Sequence, residues 1–238
     1  MKNKIFIALT IIVLAAIIIV AFILPQDSNS NNSKTTKKEE VTDNIKFKEE
    51  YESLNGKLND KNKEYVRVDI DEDNHMKYAS FNEIVNILES GTGIIYFGFP
   101  ECPWCRNAVP VLIDAANELG IDEINYFNAL DMRDTRTLDD EGNIVVEKES
   151  TKEYQKLVEL MYDELPVYEG LNDDTIKRIY FPTVVFVKDG EIVGLHVSTL
   201  DSQEDPYVKL SDDEYNELKQ IYMDGINDAY DILCDEAC

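Results

Sequence analysis

Basic residues are scarce in this chain. Its 238 residues hold 23 Lys and Arg against 48 Asp and Glu, a net charge of −25. Such a surface repels phosphate backbones and anionic headgroups, which argues against nucleic-acid binding. The plain reading of the acidity is solubility. Histidine is scarcer still. His75 lies in a polar stretch and His196 in an alternating one, and both read as solvated or structural rather than catalytic. The four cysteines form two close pairs, Cys102 with Cys105 and Cys234 with Cys238. That spacing argues against a disulfide framework, which would scatter its cysteines, but suits local disulfide chemistry in an oxidising compartment. With 44% hydrophobic and 30% charged residues, the chain has the balance of a globular protein with one sizeable core or two small ones.

The first 44 residues carry a different pattern from the rest. Lys2 and Lys4 sit in a short tail, 1–4, before an uncharged run from Ile5 to Leu24. As a helix the run spans roughly 30 Å, enough for a hydrocarbon core. Phe22-Ile23-Leu24-Pro25 lacks a small-x-small cleavage site, and no Cys follows to take a lipid. An uncleaved transmembrane anchor over 5–24 is expected ahead of a cleaved signal. The two lysines favour a cytoplasmic tail, with the following domain outside a cell membrane. Residues 25–44 are polar and aperiodic, the composition of a flexible linker reaching roughly 23 Å. A folded domain is expected over 45–238.

Within that domain the pattern predicts a short helix over Phe47–Leu58 and a strand over Tyr65–Ile70. A capping box at Ser80–Glu83 then opens a helix, and an apolar strand covers Gly93–Phe97. Cys102-Pro103-Trp104-Cys105 follows at once, and helical spacing runs from there to Gly120. A strand is expected over Ile124–Leu130. The order βαβαβ predicts a sheet with a parallel portion covered by helices. Residues 132–178 break that rhythm, with a turn at Asp139–Asn143 and a helix over Lys152–Asp163. A hairpin then joins Pro182–Val187 to Ile192–Val197 through Lys188-Asp189-Gly190-Glu191. A second capping box, Ser211–Glu214, starts the last helix.

The CPWC tetrapeptide has a chemical setting. Pro103 suits the first helical position, where its missing N–H is no loss. The remaining free N–H groups of that turn are expected to point at the Cys102 sulfur and favour a thiolate, the attacking form in disulfide exchange. Cys105, one turn on, is placed to resolve a mixed disulfide. Glu101 opposes the thiolate, but an exposed charge near 4 Å is worth only about 1 kcal/mol, and Arg106 leans the other way. A Cys-x-x-Cys pair is also half a zinc site, with Cys234 and Cys238 as the other candidate ligands. The strand–motif–helix order favours redox chemistry with no metal or organic cofactor. Cys234 and Cys238, at i and i+4 among acidic residues, read as a local structural disulfide or, alternatively, a second redox pair.

Strand, CPWC and helix together resemble the thioredoxin superfamily. Pro110, eight residues after Cys102, is similar to its helix-kinking proline. Phe181-Pro182-Thr183 is similar to its cis-proline segment, followed here by the Lys188–Glu191 turn. The resemblance covers roughly Tyr65–Leu233, apart from 132–178. It is nearest to exported bacterial thioredoxin-like proteins, including bacteriocin transport accessory proteins. It implies an α/β thioredoxin-like fold, a central mixed sheet flanked by helices, with the 132–178 insertion before the cis-proline strand. It further implies Cys102 as nucleophile, Cys105 as resolving thiol, Pro182 cis against the pair, and backbone near Phe181 pairing with substrate. Pro103 and Trp104 would face substrate. The partners implied are exported protein or peptide thiols and disulfides, and a redox partner protein. A departure stands at Tyr96, where the family usually carries a buried acid six residues before the first Cys. The Pro-Trp dipeptide also differs from thioredoxin's Gly-Pro, so the direction of electron flow does not carry over. The alternative function is a non-catalytic accessory module holding an exported peptide.

Overall fold

A computed structural model describes residues 41–232. The predicted anchor at 5–24, nearly all of the linker, and Cys234 and Cys238 lie outside the described residues. Among the described residues no helix is long and apolar enough to cross a membrane.

A five-stranded mixed sheet organises the fold, in the order β1-β3-β2-β6-β7. The strands are β1 (Met76–Tyr78), β2 (Gly93–Phe97), β3 (Ile124–Phe127), β6 (Thr183–Lys188) and β7 (Glu191–Val197). β1 and β2 run parallel to β3, while β6 runs antiparallel to β2 and to β7. Helices α1 (Asp43–Glu52), α3 (Pro103–Glu118) and α5 (Asp212–Tyr230) gather on one face. Helices α2 (Phe81–Ser90) and α4 (Lys152–Leu160) pack on the other. This mixed α/β sheet with flanking helices is compatible with a thioredoxin-like fold.

Central β2 is buried at every residue, which is why its sequence is apolar throughout rather than alternating. Ser80 and Ser211 both close full capping boxes, with Glu83 and Glu214. At the β6–β7 turn Asp189 and Gly190 have φ of 51° and 83°, the doubly left-handed turn that follows strand twist. A Cβ on Gly190 would stand 2.7 Å from the Glu89 backbone, so this turn also packs against the end of α2.

Several elements differ from the sequence pattern. The first helix starts at Asp43 and stops at Glu52, earlier than the expected Phe47–Leu58. Tyr65–Ile70 is not a strand of the sheet. Val66, Val68 and Ile70 are buried, as the alternation implied, but side chains replace the ladder. Asn55 pairs with both backbone groups of Val68, at 3.0 and 2.7 Å. Glu52 accepts the Ile70 N–H at 2.8 Å, and Lys48 donates to the Ile70 carbonyl. The first strand of the sheet is instead β1, only three residues long. Finally, β3 stops at Phe127, because the Asn128 side chain takes the Leu130 N–H at 3.0 Å and turns the chain into a short 3₁₀ segment, Leu130–Met132.

The 132–178 insertion contains a hairpin, β4 (Thr135–Leu138) with β5 (Ile144–Lys148), and then α4. α4 is shorter than the expected Lys152–Asp163. Tyr154 and Leu157 anchor it in the core, and the Tyr154 hydroxyl accepts the Ile179 N–H at 3.1 Å. That bond holds the segment leading into Phe181-Pro182.

Candidate functional site

The site forms where β2 gives way to α3. Cys102 is the N-cap of α3 and Pro103 occupies the first helical turn. The Cys105 N–H donates to the Cys102 sulfur at 3.3 Å. Opposite, the Phe181–Pro182 peptide bond is cis, and the Cys102 thiol lies 3.4 Å from the Phe181 carbonyl oxygen. Segments 79 residues apart in sequence thus meet at one sulfur.

The two sulfurs have different surroundings. Cys102 is 6% exposed and Cys105 is 0% exposed, so Cys102 is the one an incoming group can meet. The Cys105 thiol's hydrogen bond lowers the Cys102 pKa most. Burial opposes it, the Cys105 and Trp104 N–H groups add to it, and Arg133 contributes a positive charge. Cys105 goes the other way. Burial pushes its thiol well above the ordinary range, and the neighbouring Cys102 adds to the shift. One sulfur inclined to ionise beside one that holds its proton is an arrangement compatible with exchange chemistry.

Arg106 does not supply the positive charge expected of it. It is 1% exposed and points away from Cys102 into a cradle of acceptors. Nε donates to Val66 O at 2.7 Å, and Nη1 to Tyr51 O at 2.8 Å and Pro100 O at 3.2 Å. Nη2 donates to Asn55 Oδ1 at 2.8 Å. Arg106 ties α3 to α1 and to the Tyr65–Ile70 segment. The cation near Cys102 is Arg133, whose guanidinium lies 4.8 Å from the centre of the Phe181 ring. Burial, with Arg178 nearby, lowers its own pKa.

The rim is aromatic. Phe99 meets Phe181 edge-on at 5.3 Å, and Trp104, within the motif, is partly exposed. Beneath, Tyr96 and Tyr51 are fully buried, with their hydroxyls 2.9 Å apart.

The sequence singled out Cys102, Pro103, Trp104, Cys105, Phe181 and Pro182, and the structure brings all six together. It missed Arg133, Phe99 and Tyr51. Arg133 sits at the start of the insertion, the one signal that this segment reaches the site. Nothing local marks Tyr51, which lies on a helix of mixed polarity. His196 is structural: its Nε2 lies 2.6 Å from the Thr199 carbonyl and its ring packs on Tyr222. Among the described residues no cluster of three His, Cys, Asp or Glu side chains is placed to hold a metal ion.

The sequence matches no family model and no curated protein.

Proposed function

We propose that this protein is a thioredoxin-like thiol–disulfide oxidoreductase, anchored by its N-terminal helix and acting on exported proteins outside the membrane. One observation carries the reading. Cys102 is capped by helix N–H groups and faces the cis Phe181–Pro182 peptide, while Cys105 lies buried one turn behind it.

In the reductive direction, the Cys102 thiolate attacks a substrate disulfide and releases one substrate thiolate. Cys105 then loses its proton and attacks the Cys102 sulfur. The Cys102–Cys105 disulfide forms, and the second substrate sulfur leaves with the electron pair. Two electrons and two protons pass to substrate, and a redox partner protein returns them. The oxidative direction is the reverse. The Phe181 backbone suits pairing with an extended substrate chain, and Trp104 with Phe99 offers apolar surface beside the sulfur. The anchor, the outside location and the partners rest on the sequence pattern alone.

Cys105→Ser tests this directly. The variant retains mixed disulfides with exported proteins and loses turnover. Full activity in Cys105→Ser, with nothing trapped, would show a binding module instead. A reduction potential near about −270 mV would mark a reductase, and one near about −120 mV an oxidase.

A further inference from the structure

Cys105 is completely buried, yet exchange requires it to carry a negative charge briefly. An ion in such a place needs a donor aimed at it. The groups around it can be named. From α3 comes the Cys102 sulfur, and from α1 comes Tyr51. Tyr96 on β2, Tyr126 on β3 and Tyr222 on α5 also face it, and the Phe99 backbone N–H is directed at its sulfur. The buried cation Arg106 is spent on four acceptors beside the tyrosines. None of these neighbours of Cys105 is a carboxylate.

Two hydroxyls stand in line. The Tyr96 hydroxyl faces the Cys105 sulfur, and the Tyr51 hydroxyl lies 2.9 Å from that of Tyr96. The pocket is shaped for this. A Cβ on Gly98 would sit 2.2 Å from the Tyr96 hydroxyl oxygen, so the chain passes over it without a side chain.

We propose that Tyr96, backed by Tyr51, is the side-chain hydrogen-bond donor that, with the Phe99 N–H, carries the Cys105 thiolate through the resolving step. The proposal rests on the exchange reading given above. Tyr51 O–H donates to Tyr96 and Tyr96 O–H donates to the sulfur, each bond strengthening the next. Neither tyrosine gains or loses a proton. Burial holds both hydroxyl pKa values well above the ordinary value, so both stay protonated donors throughout. The proton leaving Cys105 is matched by the one taken up by the substrate thiolate freed in the first attack. The Cys105–Cys102 bond forms as the Cys102–substrate bond breaks.

The test separates the two steps. The full chain in detergent, carrying Cys234→Ser and Cys238→Ser so that only this pair reports, is reduced and mixed with the aromatic disulfide dithiobis-nitrobenzoate. Attack by Cys102 releases the first chromophore, and resolution by Cys105 releases the second. Tyr96→Phe should leave the first phase within about twofold and slow the second about tenfold, with its pH midpoint raised, because a bond to a charged group is lost. Tyr51→Phe, which leaves Tyr96 in place, should slow the second phase by a smaller factor. A second phase unchanged in Tyr96→Phe, or both phases slowed equally, would overturn the donor role and leave the exchange reading standing. A single equivalent from the unsubstituted pair, as expected for Cys105→Ser, would overturn both.

Discussion

The hydroxyl of Tyr96 fills the space that a side chain on Gly98 would need. The oxygen stands 2.2 Å, and the ring carbon bearing it 2.3 Å, from where a Cβ would be. Tyr96 is fully buried and cannot swing aside. Gly98→Ala is therefore an overpacking change, expected to destabilise the domain by about 1–3 kcal/mol. Urea unfolding measures it. In a double-mutant cycle with Tyr96→Leu the cost should shrink, since the two changes share one space. An additive pair would show that the clash is not with Tyr96.

Arg106 stabilises the fold through neutral acceptors rather than a carboxylate. Arg106→Met leaves the Val66 and Pro100 carbonyls without this donor and takes one of two donors from the Tyr51 carbonyl and from Asn55 Oδ1. Each such loss costs about 1–3 kcal/mol where the group stays dry, so the total is expected near about 3–5 kcal/mol. Arg106→Lys should recover little, because an ammonium cannot reproduce the guanidinium fork. Denaturant midpoints for the two variants, with slopes unchanged, check this.

The alkylation rate of Cys102 by iodoacetamide follows its thiolate. Its pH midpoint should lie below that of an unperturbed cysteine, since the Cys105 thiol and the helix N–H groups both favour the charged form. Cys105→Ala removes the largest contribution and should raise the midpoint most. Arg133→Gln removes a smaller one and should raise it less. A midpoint that rises more in Arg133→Gln would reverse that order.

His196 gives the fold an acid-sensitive point. Burial lowers its pKa below the ordinary value, against the opposing bond to Thr199. The unfolded chain then binds the proton more readily than the folded one. Its contribution is complete above about pH 6.5 and is lost as pH falls from there through the folded pKa. Melting temperature should drop over that acid window, and His196→Gln should flatten the drop. Equal slopes in the two proteins would assign the acid sensitivity elsewhere.

Much of the scaffold was legible because local signals coincide there. The capping boxes at Ser80 and Ser211, the apolar β2 and the Asp189-Gly190 turn each specify one short element. The order of those elements placed the Cys102–Cys105 pair at the end of a buried strand. Tyr65–Ile70 shows the limit. Alternation reported correctly which side chains are buried. It said nothing of what pairs with the backbone, because Asn55, Glu52, Lys48 and Arg106 do so from distant positions.

The site divides in the same way. Its first layer is contiguous or carries a turn signal, as in Cys102–Cys105 and Phe181-Pro182. Its second layer comes from residues whose positions depend on packing. Tyr51 lies 45 residues from its partner Tyr96, on a helix whose start and end the pattern displaced. Arg106 was visible as a charge, but its direction was set by carbonyls at Tyr51, Val66 and Pro100.

The side-chain-held segment around Tyr65–Ile70 has a practical meaning for where the domain may be cut. A fragment starting at β1 would contain the whole sheet and the CPWC motif, and would look complete by topology. It would lack Tyr51, three of the four acceptors of Arg106, and the apolar lining that Val66, Val68 and Ile70 provide. The cysteines would keep their spacing, but Tyr96 would lose its hydroxyl partner. A fragment meant to test the proposed exchange therefore begins no later than Asp43, where α1 starts.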